Sequence, residues 1–135
     1  MDTCALSELG KIEPNLKVRG ALLELPREEL RLSAISLGEI QYGIDLCADS
    51  NEKARLNKWF HLSVLAVFGN RIIDVDTFVA MRWGSLFADL KSRGKKMQIQ
   101  DSQIAATALV HNLTLVTRNE KDFAHCGVRI FNPWR

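Results

Sequence analysis

Apolar positions in this chain recur at helical spacing over most of its length, interrupted by short runs rich in β-branched residues. Leu6 and Leu9 predict a short first helix that ends at Gly10. Pro14 and Asn15 open a second helix, which carries Leu16, Val18, Leu22, Leu23 and Leu25 and stops at Pro26. Leu30 to Ile35 predicts a strand, and Ser36 starts a helix whose apolar residues are Leu37, Ile40, Tyr42, Ile44 and Leu46. A long amphipathic helix is expected from Asn51 to Phe68, broken by Gly69-Asn70. Arg71 to Val75 is the next strand, and Asp76 caps a helix that runs to about Arg93. After the loop Gly94-Lys95-Lys96, the last quarter reads as helix, strand, short helix, strand. Asp101-Ser102 opens its helix, Leu113 to Val116 is its buried strand, and Glu120 to His125 its short helix.

Short β-rich runs alternating with helices imply crossover connections. The expected fold class is therefore α/β: a parallel sheet of four to five strands with helices on both faces, in a single domain over 1–135. Ligands of such sheets bind at the carboxyl ends of the strands. Four polar residues stand at those junctions: Asp2, Glu39, Asp101 and Asn119. Each has a structural role open to it. Asp2 can be a free terminal carboxylate, Ser36 and Glu39 a capping box, and Asp101 and Asn119 helix N-caps. Together on one edge they would do more. Clustered carboxylates repel and hold their protons more tightly unless a cation neutralises them. Hard oxygen ligands favour Mg²⁺ or Mn²⁺, ions that activate water and stabilise in-line displacement at a phosphodiester.

Composition narrows the picture without deciding it. A chain of 135 residues with 47% hydrophobic and 25% charged residues is that of an ordinary globular domain. A net charge of +2 supplies no global field for nucleic acid, so any basic face is local. Cys4, Cys47 and Cys126 are odd in number and scattered, which argues against a disulfide framework or a zinc site and fits a reducing cytoplasm. There is no signal-peptide pattern and no apolar run approaching a membrane span. His61, His111 and His125 lack metal-ligand spacing, and Trp59 and Trp83 fall at apolar helix positions. Arg118 suits either an ion pair with the carboxylates or a phosphate contact. Lys91, Arg93, Lys95 and Lys96 form a basic loop that could meet an RNA backbone.

The pieces DTCALSEL (2–9), LSAISLGEIQYGI (32–44), NRIIDVDTFVAMRWG (70–84), DSQIAATALVHNLTLVTRNEKDF (101–123) and VRIFNPW (128–134) occur in one order across the whole chain. In this the sequence resembles the PIN-domain ribonuclease toxins of the VapC type, most closely the FitB-like branch. The resemblance implies a PIN-like fold and a metal-dependent endoribonuclease, the toxin of a toxin–antitoxin pair. It implies Mg²⁺ or Mn²⁺ bound by Asp2, Glu39 and Asp101, with Asn119 as a weaker amide ligand and Thr3, Thr117 and Arg118 in support. It also implies structured RNA, tRNA above all, as substrate, and a VapB-like antitoxin and a second copy of the chain as partners. Two departures stand out. The family has several apolar residues before its first Asp, whereas only Met1 precedes Asp2, so the first strand is expected to be truncated and the true start to lie upstream. Cys4 stands where the family has Asn. The competing expectation is a PIN-like module that binds antitoxin or RNA without cutting. A phospho-receiver domain is disfavoured, because Asp2 has no acidic neighbour and no Lys follows Thr117.

Overall fold

The computed structural model describes residues 1–135. Its helices are α1 (Thr3–Leu9), α2 (Leu16–Glu24), α3 (Ala34–Asp45), α4 (Ser50–Trp59), α5 (Ala66–Phe68), α6 (Thr77–Ser92) and α7 (Ile99–Val110), with strands β1 (Leu32–Ser33), β2 (Ile72–Ile73), β3 (Thr114–Val116) and β4 (Arg129–Phe131). A π-helical stretch, Phe60–Leu65, joins α4 to α5, so the long helix expected over this region is continuous in direction but loosened in its middle.

The strands pair in parallel, β1 with β2 and β3 with β4. Met1 and Asp2 bridge the two pairs: the Met1 amino group donates to the Arg31 carbonyl at 2.9 Å, and the Asp2 N–H to the Val116 carbonyl at 3.0 Å. Met1 and Asp2 thus lie as a short extended segment between β1 and β3.

Side chains alternate across β3, so adjacent residues serve opposite cores. Val116 joins Leu6, Val18, Leu22, Leu32, Ile44, Phe60 and Val64 in the core under α1 to α5. Leu115 joins Leu86, Leu90, Ile104 and Phe123 in the core under α6 and α7. Helices therefore cover both faces. Trp83 and Trp59 pack against these cores, as their helix positions predict, and the Trp83 indole N–H donates to Ser102 Oγ at 2.8 Å.

Three boundaries differ from the sequence-based expectation, and all concern capping. Ser33 caps α3, accepting from the Ile35 N–H at 3.1 Å, so β1 ends early and no Ser36–Glu39 capping box forms. Ser36 is instead fully buried, one turn into the helix. Asp101 is not an N-cap either: α7 begins two residues before it, after Gln98, and Asp101 lies in the first turn. Asn119 occupies the cap position of the 3₁₀ turn Glu120–Phe123, but its side chain makes no capping bond. Asp76, by contrast, caps α6 as expected, accepting from the Val79 N–H at 2.9 Å.

Candidate active site

Asp2 precedes α1 and is only 4% exposed. Its Oδ1 accepts from the Ala5 N–H at 2.9 Å, capping the helix, and its Oδ2 accepts from the Thr117 hydroxyl at 2.5 Å. Thr117 is held in turn by the Asn119 N–H, which donates to its Oγ1 at 2.9 Å. This chain of bonds ties the start of the protein to the end of β3. Burial raises the proton affinity of the Asp2 carboxyl, opposed by the Thr117 and Ala5 bonds.

Glu39 faces the same cleft from α3. Thr3 Oγ1 donates to its Oε1 at 2.7 Å, fixing one carboxylate oxygen and leaving the other free. Asp101 enters from α7, which packs against α3. Its carboxyl is pushed up to about 6, first by burial and then by the charges of Glu39, Asp122 and Asp2. The structure therefore gathers all four sequence-predicted residues. Asp2, Glu39, Asp101 and Asn119 line one open cleft of about 640 Å³, with Thr3 on its wall. Arg118 stands apart, its guanidinium over the Trp134 ring at 5.6 Å from the centroid and in none of the ion pairs.

One cleft carboxylate escaped the sequence reading, and of the expected basic loop only Lys96 reaches the cleft. Asp122 adds a further carboxylate. Its signal was present: Asn119 and Asp122 are three apart on a 3₁₀ turn, where side chains at i and i+3 eclipse. Lys96, from the basic loop, is the cation among the lining residues. Replacing Asp122 by Asn should lower the proton affinity of Asp101 and, where an ion is held here, cost roughly 10–100-fold in metal affinity. An NMR titration of the Asp101 carboxyl and a Mn²⁺ titration of both chains would measure the two effects.

The donor set is almost wholly oxygen, which suits Mg²⁺ or Mn²⁺ and not a soft metal. No three acidic, cysteine or histidine side chains converge closely enough to ligate one ion directly. Mg²⁺ keeps several waters and needs only one or two carboxylates, so the set fits an ion held partly through water. Cys4 also lines the cleft, with its thiol pushed up by burial.

A model of the PIN domain matches residues 1–128. Toxin FitB of Neisseria gonorrhoeae is 35% identical over 134 residues, 99% of this chain and 96% of that protein. The VapC ribonuclease Y4jK of Sinorhizobium fredii is 31% identical over 134 residues, with the same coverage of 99% and 96%. Among solved structures, that of FitAcB from Neisseria gonorrhoeae superposes with a TM-score of 0.92 at 35% identity, covering 99% of this chain and 96% of that one.

Proposed function

The chain belongs to the PIN-domain family, among its VapC and FitB toxins, and from that premise we propose that it is an endoribonuclease that hydrolyses RNA phosphodiester bonds with Mg²⁺ or Mn²⁺ at the acidic cleft. One observation carries the metal requirement. Asp2, Glu39, Asp101 and Asp122 line one cleft, and burial first and the charges of Glu39, Asp122 and Asp2 second push the Asp101 carboxyl up to about 6, so a phosphodiester needs a cation to offset this negative charge before it can approach.

Asp2, Glu39 and Asp101 would hold the ion partly through water, with Asp122 and the Asn119 amide as further oxygen donors to that shell. When bound, it supplies an activated water and charge stabilisation at phosphorus. The chain's own residues do the positioning. Thr117 and the Ala5 N–H fix both oxygens of Asp2, and Thr3 fixes one of Glu39, so neither carboxylate has to be ordered at the moment of reaction. Lys96 is placed at the cleft to contact a phosphate oxygen. The partners assigned are structured RNA as substrate, a VapB-like antitoxin and a second copy of the chain. No helix is long and apolar enough to cross a membrane.

Total RNA incubated with the purified chain should be cut when Mg²⁺ or Mn²⁺ is added and spared in EDTA. Saturating metal should also raise Tm, since an ion at 100 times its Kd stabilises by about 2.7 kcal/mol. Cleavage undiminished by EDTA would reject metal dependence. A metal-dependent rise in Tm with no cleavage of any RNA would leave the non-cleaving binding module instead.

A further inference from the structure

We propose that Trp83 is a positioning residue for Asp101: its indole N–H, reaching across from α6, pins the first turn of α7 through Ser102 and so holds the Asp101 carboxylate at the cleft. This rests on the metal-dependent ribonuclease reading and goes beyond it by naming what orders Asp101.

Asp2 and Glu39 are each fixed by a hydroxyl on a carboxylate oxygen, from Thr117 and from Thr3. Asp101 has no such bond. Burial and the charges of Glu39, Asp122 and Asp2 are what act on it, and those charges repel it. Its helix is also the least secured at the start. The first N–H groups of a helix have no partner within it, and a side-chain cap takes one of them. Asp2, Asn15, Ser33, Asp49 and Asp76 cap α1, α2, α3, α4 and α6 in this way. Gln98, at the same position before α7, makes no side-chain capping bond. An uncapped first turn bearing a repelled carboxylate would fray.

Ser102 supplies the missing restraint. It follows Asp101 directly and is fully buried. Its hydroxyl donates to the Ile99 carbonyl at 2.6 Å, across the turn, and accepts from the Trp83 indole N–H at 2.8 Å. Phe87, one turn further along α6, stacks on Trp83 with centroids 5.5 Å apart and planes at 22°. An indole N–H only donates, and in a packed setting it needs an acceptor, so the ring and the hydroxyl fix each other. Trp83 is not among the residues that line the cleft, although Met97, which packs on the same core, is. Its influence on an ion there therefore runs through Ser102 and the turn.

The test reads metal affinity without turnover. Mn²⁺ is titrated into the wild-type chain, Trp83→Phe, Ser102→Ala and the double variant, with free ion followed by electron paramagnetic resonance. Trp83→Phe keeps an aromatic ring and removes the N–H. Each single variant should weaken Mn²⁺ binding about tenfold, as for other residues that orient a metal ligand. The double variant should bind no more weakly than Ser102→Ala, because both changes remove the same bond. Hydrogen exchange of the amide at position 102, which donates to the Gln98 carbonyl at 2.9 Å, should quicken several-fold in all three. In cleavage assays kcat should fall while KM for RNA holds, since the turn sets the ion and not the RNA contacts. Val18→Ala, in the core on the other face of the sheet, should lower Tm and leave Mn²⁺ affinity unchanged. Wild-type Mn²⁺ affinity in Trp83→Phe and Ser102→Ala, whatever their Tm, would overturn the proposal and leave the bond a packing contact. Additive losses in the double variant would overturn it as well. Failure of the ribonuclease reading looks different: RNA would stay uncut with Mg²⁺ while Mn²⁺ affinity still followed Trp83. A wild-type chain that takes up no Mn²⁺ would remove both.

Discussion

Asp101→Asn is expected to reduce RNA cleavage by about 10³-fold, within the range for loss of an essential acid–base or metal-positioning group. The same change should leave the fold intact. Asp101 is half-buried in the first turn of α7, makes no hydrogen bond that asparagine would break, and is not the cap of that helix. It also repels Glu39, Asp122 and Asp2, so neutralising it removes a cost. This cost has a sign that can be followed with pH. The folded metal-free chain binds a proton at Asp101 up to about 6, whereas an unfolded Asp releases it near the ordinary 3.8. The Asp101 contribution to stability without metal is therefore fully present below the ordinary value, is lost as pH rises through that window, and levels off above about 6. Asp2, also raised by burial, acts in the same direction. Between about pH 4 and about pH 7 in EDTA, Tm of Asp101→Asn should gain on that of the wild type, because the Met1 amino group and Glu8, which titrate in the opposite sense, are common to both chains. Saturating Mg²⁺ should shrink that gain. An Asp101→Asn chain that cuts RNA at the wild-type rate would remove Asp101 from the machinery.

Asp2 separates two roles that coincide in one side chain. Asp2→Ala should destabilise the chain by about 2 kcal/mol, from a lost helix cap of about 1 kcal/mol and a buried Thr117 hydroxyl left without its acceptor, partly offset by no longer burying a carboxylate. Asp2→Asn keeps an oxygen for the Ala5 N–H and should hold most of that stability. Both should lose cleavage by about 10²-fold or more, because an amide is a poorer partner for a divalent ion. Urea denaturation gives the stability difference and a metal-supplemented RNA assay the activity. Loss of activity only in the Ala variant, in step with its loss of stability, would assign Asp2 a purely structural part. Thr117 offers a further check, since Thr117→Val breaks the same bond from the other side without touching a carboxylate.

How far the letters reached can be judged residue by residue. Glu39 and Asp101 were found because polar groups at strand ends in a parallel sheet face one edge. Yet both were also given capping roles that the structure withholds. Capping depends on where a helix starts, and start points are set by which neighbouring residue the chain turns at: Ser33 and Gln98, not Ser36 and Asp101. Asp122 was passed over because it lies inside the short helix expected after Asn119 and not at a strand-to-helix junction. On a 3₁₀ turn positions 119 and 122 eclipse, which brings the Asp122 carboxylate to the cleft beside Asn119. Arg118 was placed near the carboxylates by its neighbours in sequence; its guanidinium lies over the Trp134 ring, and its charge acts on Cys4 and Glu8.

The sequence by itself settled what is local or repeated along the chain. Periodicity chose the helices and strands, glycine and proline ended them, and the alternation of the two implied a parallel sheet with a polar carboxyl edge. Those features depend on each residue and a few neighbours, and neighbours are what a sequence displays. The tertiary structure decided what depends on distance across the fold. It set which oxygen of Asp2 Thr117 would hold across 115 positions of chain, that Thr3 would fix Glu39, and that burial together with three neighbouring carboxylates would raise Asp101 to about 6. Electrostatic repulsion and burial act through space, and only the packing of α1, α3 and α7 onto the strands says which charges share that space.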